Sequence, residues 1–330
     1  MGETMRAIVR TEYGDPGVLR VARVNKPRPR AGEVLVRVVA TTVNRTDCGF
    51  RAGRPAIVRL FSGVLRPIQL VLGNEFAGVV ESVGPGVSGF LPGEEVFGLT
   101  GDVRFGAHAE FLRIPADGAL LRKPGSITFA EAAALGDGVM QALAVLRAGE
   151  VGKGQRVLVN GATGSIGSSC VQLATHMGAV VTGVCRGEHL DLVRSLGAIE
   201  AIDYTKQDYT TLDARFDVVL DAVGKNTFAA SRRVLEPDGV YVPTDLGPGA
   251  QNPLLVLATL ASGGQRVCMP LPKESRADLE FGSDLVRSGK YRVLIDRTYS
   301  LEEIPEATRY VETETKVGNV VVIVDPDLAD

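Results

Sequence analysis

Short apolar, β-branched runs separated by turns make up the first 125 residues. Residues 6–9, 33–39 and 76–83 are such runs, and the Pro- and Gly-containing stretch 27–32 separates the first two. Runs of Val and Ile bounded by Pro and Gly are typical of strands. The pattern therefore predicts a compact, mostly antiparallel β domain over residues 1–125.

From residue 126 the pattern changes to alternating strands and helices. A capping-box sequence, Thr128 followed by Glu131, opens this part. Continuous apolar runs then alternate with helical stretches, and these runs are residues 156–160, 179–184, 216–221, 239–242 and 265–269. Buried parallel strands joined by crossover helices have this pattern.

These patterns predict an α/β chain of two domains. A doubly wound parallel-sheet domain over residues 126–270 interrupts the β domain. Residues 271–330 then return to the β domain and end in a strong strand at 318–324. A length of 330 residues is also more than one hydrophobic core usually organises.

A glycine-rich turn lies between the first strand and first helix of the alternating part. Its three glycines allow a sharp turn, a close approach of backbone amides to a pyrophosphate, and tight packing of helix on strand. The surrounding strand and helix are the context that makes this motif a dinucleotide site. The predicted cofactor-binding residues of the turn are Gly161, Ala162, Thr163, Gly164, Ser165, Ile166 and Gly167.

The end of the next strand distinguishes the two nicotinamide cofactors. An NAD site places a carboxylate there for the ribose 2′-hydroxyl, whereas this chain has Arg186, with Glu188 as the next acid. A guanidinium can bind the 2′-phosphate of NADPH with two hydrogen bonds. NADP(H) is therefore the predicted cofactor. Arg186 could instead be a solvated surface residue, with Glu188 or Asp203 binding the ribose.

Charge and composition narrow the range of partners. Lysine and arginine total 36 against 39 aspartates and glutamates, a net charge of −3, so no overall attraction to nucleic acid or to an anionic membrane is expected. The N-terminal residues do not read as a signal peptide, and the apolar runs look too short to span a bilayer. We expect a cytoplasmic protein.

A zinc site is not expected either. Catalytic zinc needs about three converging nitrogen, sulfur or oxygen ligands. The chain has only three histidines, and its four cysteines show no Cys-x-x-Cys spacing. His108 has no nearby thiol in the sequence, and Cys48 has no evident partner. No metal ligands are predicted.

In these motifs the chain resembles the medium-chain dehydrogenase/reductase superfamily, and within it the zinc-free, quinone-oxidoreductase-like branch. The resemblance covers nearly the whole chain and rests on the glycine-rich turn and on residues 72–84, 90–98, 221–224 and 316–321. It implies a GroES-like β-rich catalytic domain plus a Rossmann cofactor domain. Zinc-dependent relatives carry Cys and His where this chain has Asn44 and Asn74, and amides bind zinc poorly.

The resemblance implies an NADPH-dependent hydride transfer to a quinone or an α,β-unsaturated carbonyl compound. It places Asn44, Asp47 and Arg51 beside the nicotinamide as candidate catalytic residues. The Asn44 amide can donate to a developing enolate oxygen or to the cofactor ribose. Asp47 and Arg51 could equally be a structural ion pair that fixes the loop.

Further cofactor contacts follow from the same resemblance. Tyr204 corresponds to a tyrosine near the adenosine 2′-phosphate, although it could be a packed surface residue. The loop after the strand 216–221 ends that strand, so its backbone can face the ribose and nicotinamide, although it could be a plain strand-to-loop turn. The loop after the next strand and the terminal motif 316–321 supply the rest. These predicted residues are Ala222, Val223, Gly224, Asp245, Leu246, Lys316 and Asn319.

Two other functions stay open at this stage. One is an NADP-dependent alcohol or aldehyde oxidoreductase, and the other is a non-catalytic NADPH-binding protein. The run 266–269 is expected to form an edge of the parallel sheet, and an uncovered edge invites pairing. With the resemblance, this edge predicts a homodimer.

Overall fold

The computed structural model describes residues 2–101, 104–260 and 263–329 and separates into two compact units. The first, called the β-rich unit, comprises Met1–Asp137, Lys273–Arg287 and Val293–Asp330. The second, called the parallel-sheet unit, comprises Gly138–Pro272 and Ser288–Arg292. The domain limits expected from the sequence, after residues 125 and 270, stay predictions.

The strands are β1 (Thr4–Val9), β2 (Arg20–Asn25), β3 (Glu33–Val43), β4 (Glu75–Val83), β5 (Glu95–Leu99), β6 (Phe111–Pro115), β7 (Leu120–Arg122), β8 (Arg156–Asn160), β9 (Val180–Cys185), β10 (Glu200–Asp203), β11 (Phe216–Asp221), β12 (Leu235–Pro243), β13 (Arg266–Val267), β14 (Ile295–Ser300) and β15 (Asn319–Ile323). The helices are α1 (Arg45–Ala52), α2 (Val58–Ser62), α3 (Phe129–Ala133), α4 (Gly136–Ala148), α5 (Ser165–His176), α6 (Leu190–Ser195), α7 (Phe228–Ser231), α8 (Asn252–Leu260), α9 (Arg276–Arg287) and α10 (Ile304–Glu312).

The β-rich unit is built on a sheet in the order β14-β15-β3-β4-β5-β7, with β6 also paired to β3. The long strand β3 pairs antiparallel with β4, β6 and β15. Its register places Val320 opposite Val43, so the last strand of the chain returns to this unit as predicted. Alternate residues of β3, such as Val34, Val36 and Val38, are fully buried in the main core of the unit.

The parallel-sheet unit holds six strands in the order β10-β9-β8-β11-β12-β13. All five pairings are parallel. Numbered within the sheet, this is the order 3-2-1-4-5-6 of a doubly wound Rossmann sheet, whose direction of winding changes between β8 and β11. The predicted fold class of this part is confirmed, and the run 266–269 does lie at an edge, as β13.

Helix boundaries follow the capping residues. Thr128 accepts from the Glu131 backbone N–H while the Glu131 carboxylate accepts from the Thr128 backbone, so the predicted capping box starts α3. The Ala-rich stretch beyond it forms two helices, α3 and α4. Strand β13 keeps only two of the five expected residues, and its Val267 N–H donates to the Thr259 hydroxyl of α8.

One stretch of the described residues, Phe129–Ala148, is apolar and long enough to cross a membrane by length and composition. The sequence-based statement that all apolar runs are too short is therefore wrong for this stretch, because it spans α3 and α4 together. Most of it is buried inside the protein, with 72% of its most apolar window covered. Burial of that kind is also typical of a core helix.

Candidate functional site

The glycine-rich turn connects β8 to α5 at the carboxyl edge of the parallel sheet. Gly161 has a φ of +81°, a backbone conformation that favours glycine. A Cβ atom on Gly167 would lie 2.0 Å from the Gly161 carbonyl oxygen. Any larger residue at 167 would push α5 away from β8, so the third glycine sets how closely the helix approaches the strand.

The first turn of α5 presents backbone donors that no side chain caps. Gly164 is the N-cap and makes no side-chain cap bond, so the N–H groups of Ser165, Ile166 and Gly167 lack helical acceptors. The N–H groups of Gly161 and Ala162 instead donate to the Val184 carbonyl, at 3.1 and 3.0 Å. Open N–H groups and the positive end of the helix dipole fit a pyrophosphate. The amides of Gly161 and Ala162 therefore fix the shape of the turn and do not face the ligand site.

Arg186 and Tyr204 follow the ends of the adjacent strands β9 and β10. A side-chain hydrogen bond with Tyr204 raises the pKa of Arg186 above its ordinary value. Both side chains are more than half exposed. The structure thus brings two separately predicted cofactor residues together, as a guanidinium and a hydroxyl that are open to a ligand.

The two acids considered as ribose ligands differ in their surroundings. Asp203 accepts from the backbone N–H and hydroxyl of Thr205, at 3.0 and 2.7 Å, and these bonds lower the pKa of its carboxyl. Its other oxygen lies against Gly187, whose Cβ would come within 2.4 Å of it. Glu188 is exposed and lies 3.9 Å from Arg186 and 3.3 Å from His189. Both carboxylate oxygens of Asp203 therefore already contact neighbouring loop residues.

The loop after β11 is held by the buried carboxylate of Asp221. One oxygen accepts from the backbone N–H groups of Val223 and Gly224 at 3.1 and 3.3 Å and from Asn160 at 2.9 Å. The other accepts from the Tyr241 hydroxyl at 2.7 Å, and burial raises the pKa of that hydroxyl. The predicted residues Ala222, Val223 and Gly224 thus form a fixed loop beside the glycine-rich turn.

The loop after β12 lies against the one after β11. A Cβ atom on Gly224 would sit 1.6 Å from a carboxylate oxygen of Asp245, so only glycine allows this approach. Asp245 also accepts from the Gly247 N–H at 2.9 Å. Leu246 receives a backbone bond from Asn252. All predicted cofactor residues between 161 and 246 therefore lie at the carboxyl edge of one sheet.

In the β-rich unit, α1 begins with a reciprocal capping box. The Asn44 side-chain oxygen accepts from the Asp47 N–H at 3.0 Å, and the Asp47 carboxylate accepts from the Asn44 N–H at 3.1 Å. The Asn44 Nδ2 group donates to the Asn74 side-chain oxygen at 2.8 Å. The amides that stand where zinc-dependent relatives carry Cys and His are therefore in direct contact.

Asp47 is buried and has two further neighbours, Gly73 and His108. Its second oxygen accepts from the Gly73 N–H at 2.9 Å, and the His108 Nε2 lies 3.9 Å from the carboxylate. Burial raises the pKa of Asp47, while His108 and the two backbone N–H groups act in the opposite direction. Because Nε2 lies 2.8 Å from the Thr42 carbonyl, which can only accept, that nitrogen carries the hydrogen.

Arg51 is buried and bonds elsewhere. It donates to the Gly14 carbonyl and pairs with Glu312 of α10. Asp47 and Arg51 therefore each fix the loop through their own partners, and the ion pair considered between them is not among the described contacts.

The motif at residues 316–321, close to the end of the chain, lies in the β-rich unit as well. Lys316 Nζ donates to the Gly318 carbonyl at 2.6 Å, and burial lowers the pKa of its ammonium group. Asn319 donates through Nδ2 to the Leu294 carbonyl at 3.1 Å. These contacts close the turn before β15, and cofactor contacts of the two residues stay predictions.

Glu75 is a feature that the sequence reasoning missed. It is fully buried at the start of β4, where it accepts from the Thr42 hydroxyl and, at 2.8 Å, from the Asp137 N–H. Burial raises the pKa of Glu75 to about 8, and the nearby Asp137 carboxylate adds to the rise. A charged residue directly before the apolar run 76–83 was the available signal.

The residues of this region do not fit a zinc ion. The two amides that occupy the ligand positions bond to each other, and no group of three or more His, Cys, Asp or Glu able to hold a metal occurs in residues 2–101, 104–260 and 263–329. Carboxamides are also poor ligands for this ion. We derive no zinc chemistry for this chain.

The raised pKa of Glu75 predicts an unusual pH dependence of stability. In the unfolded chain the carboxyl ionises near 4.5, whereas in the folded protein it stays protonated to about 8. Between these values the folded state binds more protons, so stability falls as the pH rises, by at most about 1.4 kcal/mol per pH unit. Glu75→Gln keeps a neutral group and should remove this fall, as measured by urea unfolding across the same pH window.

The control is Glu306→Gln, an exposed carboxylate of α10 in the same unit. Its unfolding midpoints should run parallel to the wild type over the pH range. Identical pH slopes for the wild type and Glu75→Gln would contradict a protonated, buried Glu75.

Comparison with known proteins agrees with both units. A family model described as "Alcohol dehydrogenase GroES-like domain" matches residues 30–125, which confirms the predicted GroES-like domain. A second, described as "Zinc-binding dehydrogenase", matches residues 196–322.

Whole-chain relatives extend the comparison. The chain is 33% identical to the 2-methylene-furan-3-one reductase of Solanum lycopersicum and 32% identical to the chloroplastic NADPH-dependent alkenal/one oxidoreductase of Arabidopsis thaliana. Each match spans 96% of this chain and 79% of the relative. The solved structure of the quinone oxidoreductase from Coxiella burnetii is 26% identical, with a TM-score of 0.88 over 98% of this chain and all of that one. The chain belongs to the medium-chain dehydrogenase/reductase superfamily, among its quinone and enone oxidoreductases, as its motifs predicted.

Proposed function

We propose that the protein is a zinc-independent, NADPH-dependent reductase of quinones or α,β-unsaturated carbonyl compounds. The observation that carries this proposal is the edge of the parallel sheet, where an uncapped helix N-terminus and the pair Arg186–Tyr204 together fit a phosphorylated dinucleotide. The similarity to enone, alkenal and quinone oxidoreductases supports the substrate class.

Each part of the edge has a task toward the cofactor. The first N–H groups of α5 bind the pyrophosphate, and the tight turn that Gly161 and Gly167 allow positions these groups. Arg186 and Tyr204 bind the 2′-phosphate through charge-assisted hydrogen bonds. The loops 222–224 and 245–247 border the rest of the site. They are rigid because Asp221 accepts from the Val223 N–H and Asp245 accepts from the Gly247 N–H. A bound nicotinamide supplies the hydride, and the protein aligns the reactants.

An alcohol or aldehyde reductase is less well supported, because it needs a metal or a positioned acid to polarise a simple carbonyl. Among the described residues, no metal cluster is present. The predicted cytoplasmic location and the lack of a membrane partner stay predictions.

Arg186 should determine which nicotinamide cofactor the protein prefers. In Arg186→Ala the KM for NADPH should rise roughly 10- to 100-fold, the effect of losing a charge-assisted hydrogen bond, while the KM for NADH stays the same. The measurement is oxidation of each cofactor at 340 nm with 9,10-phenanthrenequinone. Arg156→Ala, which removes a guanidinium at the opposite, amino end of β8, should behave as the wild type.

Three other results would change the proposal. A wild-type preference for NADH would assign the ribose to an acid such as Glu188. Tight NADPH binding without turnover of quinones or enones would favour the non-catalytic alternative. Turnover of a saturated aldehyde but of no enone would favour the alcohol oxidoreductase.

We also propose that the protein is a homodimer that pairs through β13. This strand ends the parallel sheet and packs beside α8, which exposes three leucines at helical spacing. Leu254, Leu257 and Leu260 are 70%, 67% and 73% exposed. An open strand edge next to an exposed apolar helix face is typical of a surface that a second copy covers.

The prediction is a molar mass of about twice 34.9 kDa by light scattering, reduced to the monomer in Leu257→Glu. A buried carboxylate at an apolar interface has a large desolvation cost. Ile199→Glu places the same charge on an exposed apolar residue near the other edge of the sheet and should leave the dimer intact. A wild-type monomer at micromolar concentration would overturn the proposal.

A further inference from the structure

The orientation of the Asn44 and Asn74 carboxamides follows from one backbone donor. The Asp47 N–H can only donate, so the atom of Asn44 that faces it, at 3.0 Å, is the oxygen. The atom of Asn44 that faces Asn74 is then Nδ2. Since Nδ2 can only donate, it meets the oxygen of Asn74, at 2.8 Å. The Nδ2 group of Asn74 is therefore the outer end of the chain of bonds.

That outer group has two hydrogens and no acceptor. Asn74 is 9% exposed, yet no partner of its Nδ2 occurs in the part of the chain that the structure describes. Nor is the atom among the fully enclosed polar atoms without a partner, so it stays open to a ligand. A carboxamide nine-tenths buried, held through its oxygen and open at its nitrogen, is a fixed hydrogen-bond donor.

We propose that Asn74 Nδ2 donates to the carbonyl oxygen of the substrate and that Asn44 is the positioning residue that orients it. This inference rests on the proposed function, which supplies the class of substrate. It moves the donor from Asn44, the residue predicted from the sequence, to its neighbour. The Asn44 Nδ2 group already donates to Asn74, whereas the Asn74 Nδ2 group makes no bond to the described residues.

The chemistry requires such a donor. The β-carbon of the enone takes a hydride from the reduced cofactor, forming a C–H bond, and the C=C electron pair moves to give an enolate. Negative charge develops on the carbonyl oxygen, and a proton from solvent then forms the C–H bond at the α-carbon. A preorganised donor aimed at this oxygen stabilises the transition state more than the substrate.

A carboxamide suits this role without a metal ion. It cannot lose its proton in the physiological pH range, so the donor is present at every working pH. The capping box fixes Asn44, and Asn44 fixes Asn74, so little rotational freedom is lost when the substrate binds.

The experiment uses 4-nitrophenolate as a non-reacting probe of the enolate oxygen. Binding to the wild-type complex with NADP⁺ is followed by the shift of the probe's visible absorbance. In Asn74→Asp, which retains an oxygen for Asn44 but replaces the donor by an acceptor, the affinity should fall roughly 10- to 100-fold. Asn25→Asp makes the same change at an exposed position of β2 and should leave the affinity unaltered.

Two further readouts separate a donor from a structural residue. The Kd for NADPH, measured by its fluorescence, should be the same in Asn74→Asp as in the wild type, while kcat for an enone falls. Equal probe affinity in the two proteins would overturn the inference. A loss of NADPH affinity with unchanged probe affinity would also overturn it, because the amide would then bind the cofactor.

A measurement on the wild type alone covers the case in which the variant does not fold. Across a series of para-substituted phenolates, affinity should increase with the basicity of the oxygen if a donor contacts it, and a flat series would overturn the proposal. Failure of the wild type to bind NADPH, or to reduce any quinone or enone, would instead contradict the proposed function. The affinity of the probe for Asn74→Asp relative to the wild type would still test whether Asn74 is a donor.

Discussion

The reciprocal bonds between Asn44 and Asp47 organise the polar interior of the β-rich unit. They end β3, start α1 and fix the orientation of the Asn44 amide. Through its second oxygen Asp47 also holds the Gly73 backbone, directly before Asn74 and Glu75. A loop that begins as an ordinary helix cap therefore orients the half-buried Asn44 amide and, through it, the buried Asn74 amide. Substituting either partner would disturb the cap and the amide orientation together.

The parallel-sheet unit differs from the β-rich unit, where side chains cap the start of α1. An anion-binding site in the parallel-sheet unit needs backbone N–H groups that are free to donate. Asp221 and Asp245 accept the N–H groups of the neighbouring loops, which makes those loops rigid. At α5 the capping position holds a glycine, which cannot accept a hydrogen bond through a side chain. Helices α1 and α3, by contrast, are capped by side chains. A bound anion would supply the missing cap.

Much of this arrangement followed from sequence pattern, because buried strands and glycine turns have strong local signals. The limits of β8 and β11 and the start of α5 were predicted to the residue. Strand β14 and helix α10 were missed: the run Ile-Asp-Arg-Thr-Tyr-Ser of β14 is half exposed, and the start of α10 holds a proline. The Asn44–Asn74 contact was beyond sequence reasoning as well, since the two residues are 30 positions apart and meet only through the β3–β4 pairing.

The buried acid Glu75 directly follows Asn74 in the chain, and its ionisation depends on the charges around it. Near a zinc ion, buried carboxylates are stabilised in their charged form. Here Glu75 has the Thr42 hydroxyl, one backbone N–H and the buried Lys316 ammonium group to favour ionisation, and Asp137 opposes it. Desolvation therefore prevails, and the carboxyl is held neutral. In the reaction proposed above, a neutral Glu75 beside Asn74 would place no negative charge near the substrate oxygen that becomes negative. A protonated buried acid and an amide donor would thus support the same proposed chemistry.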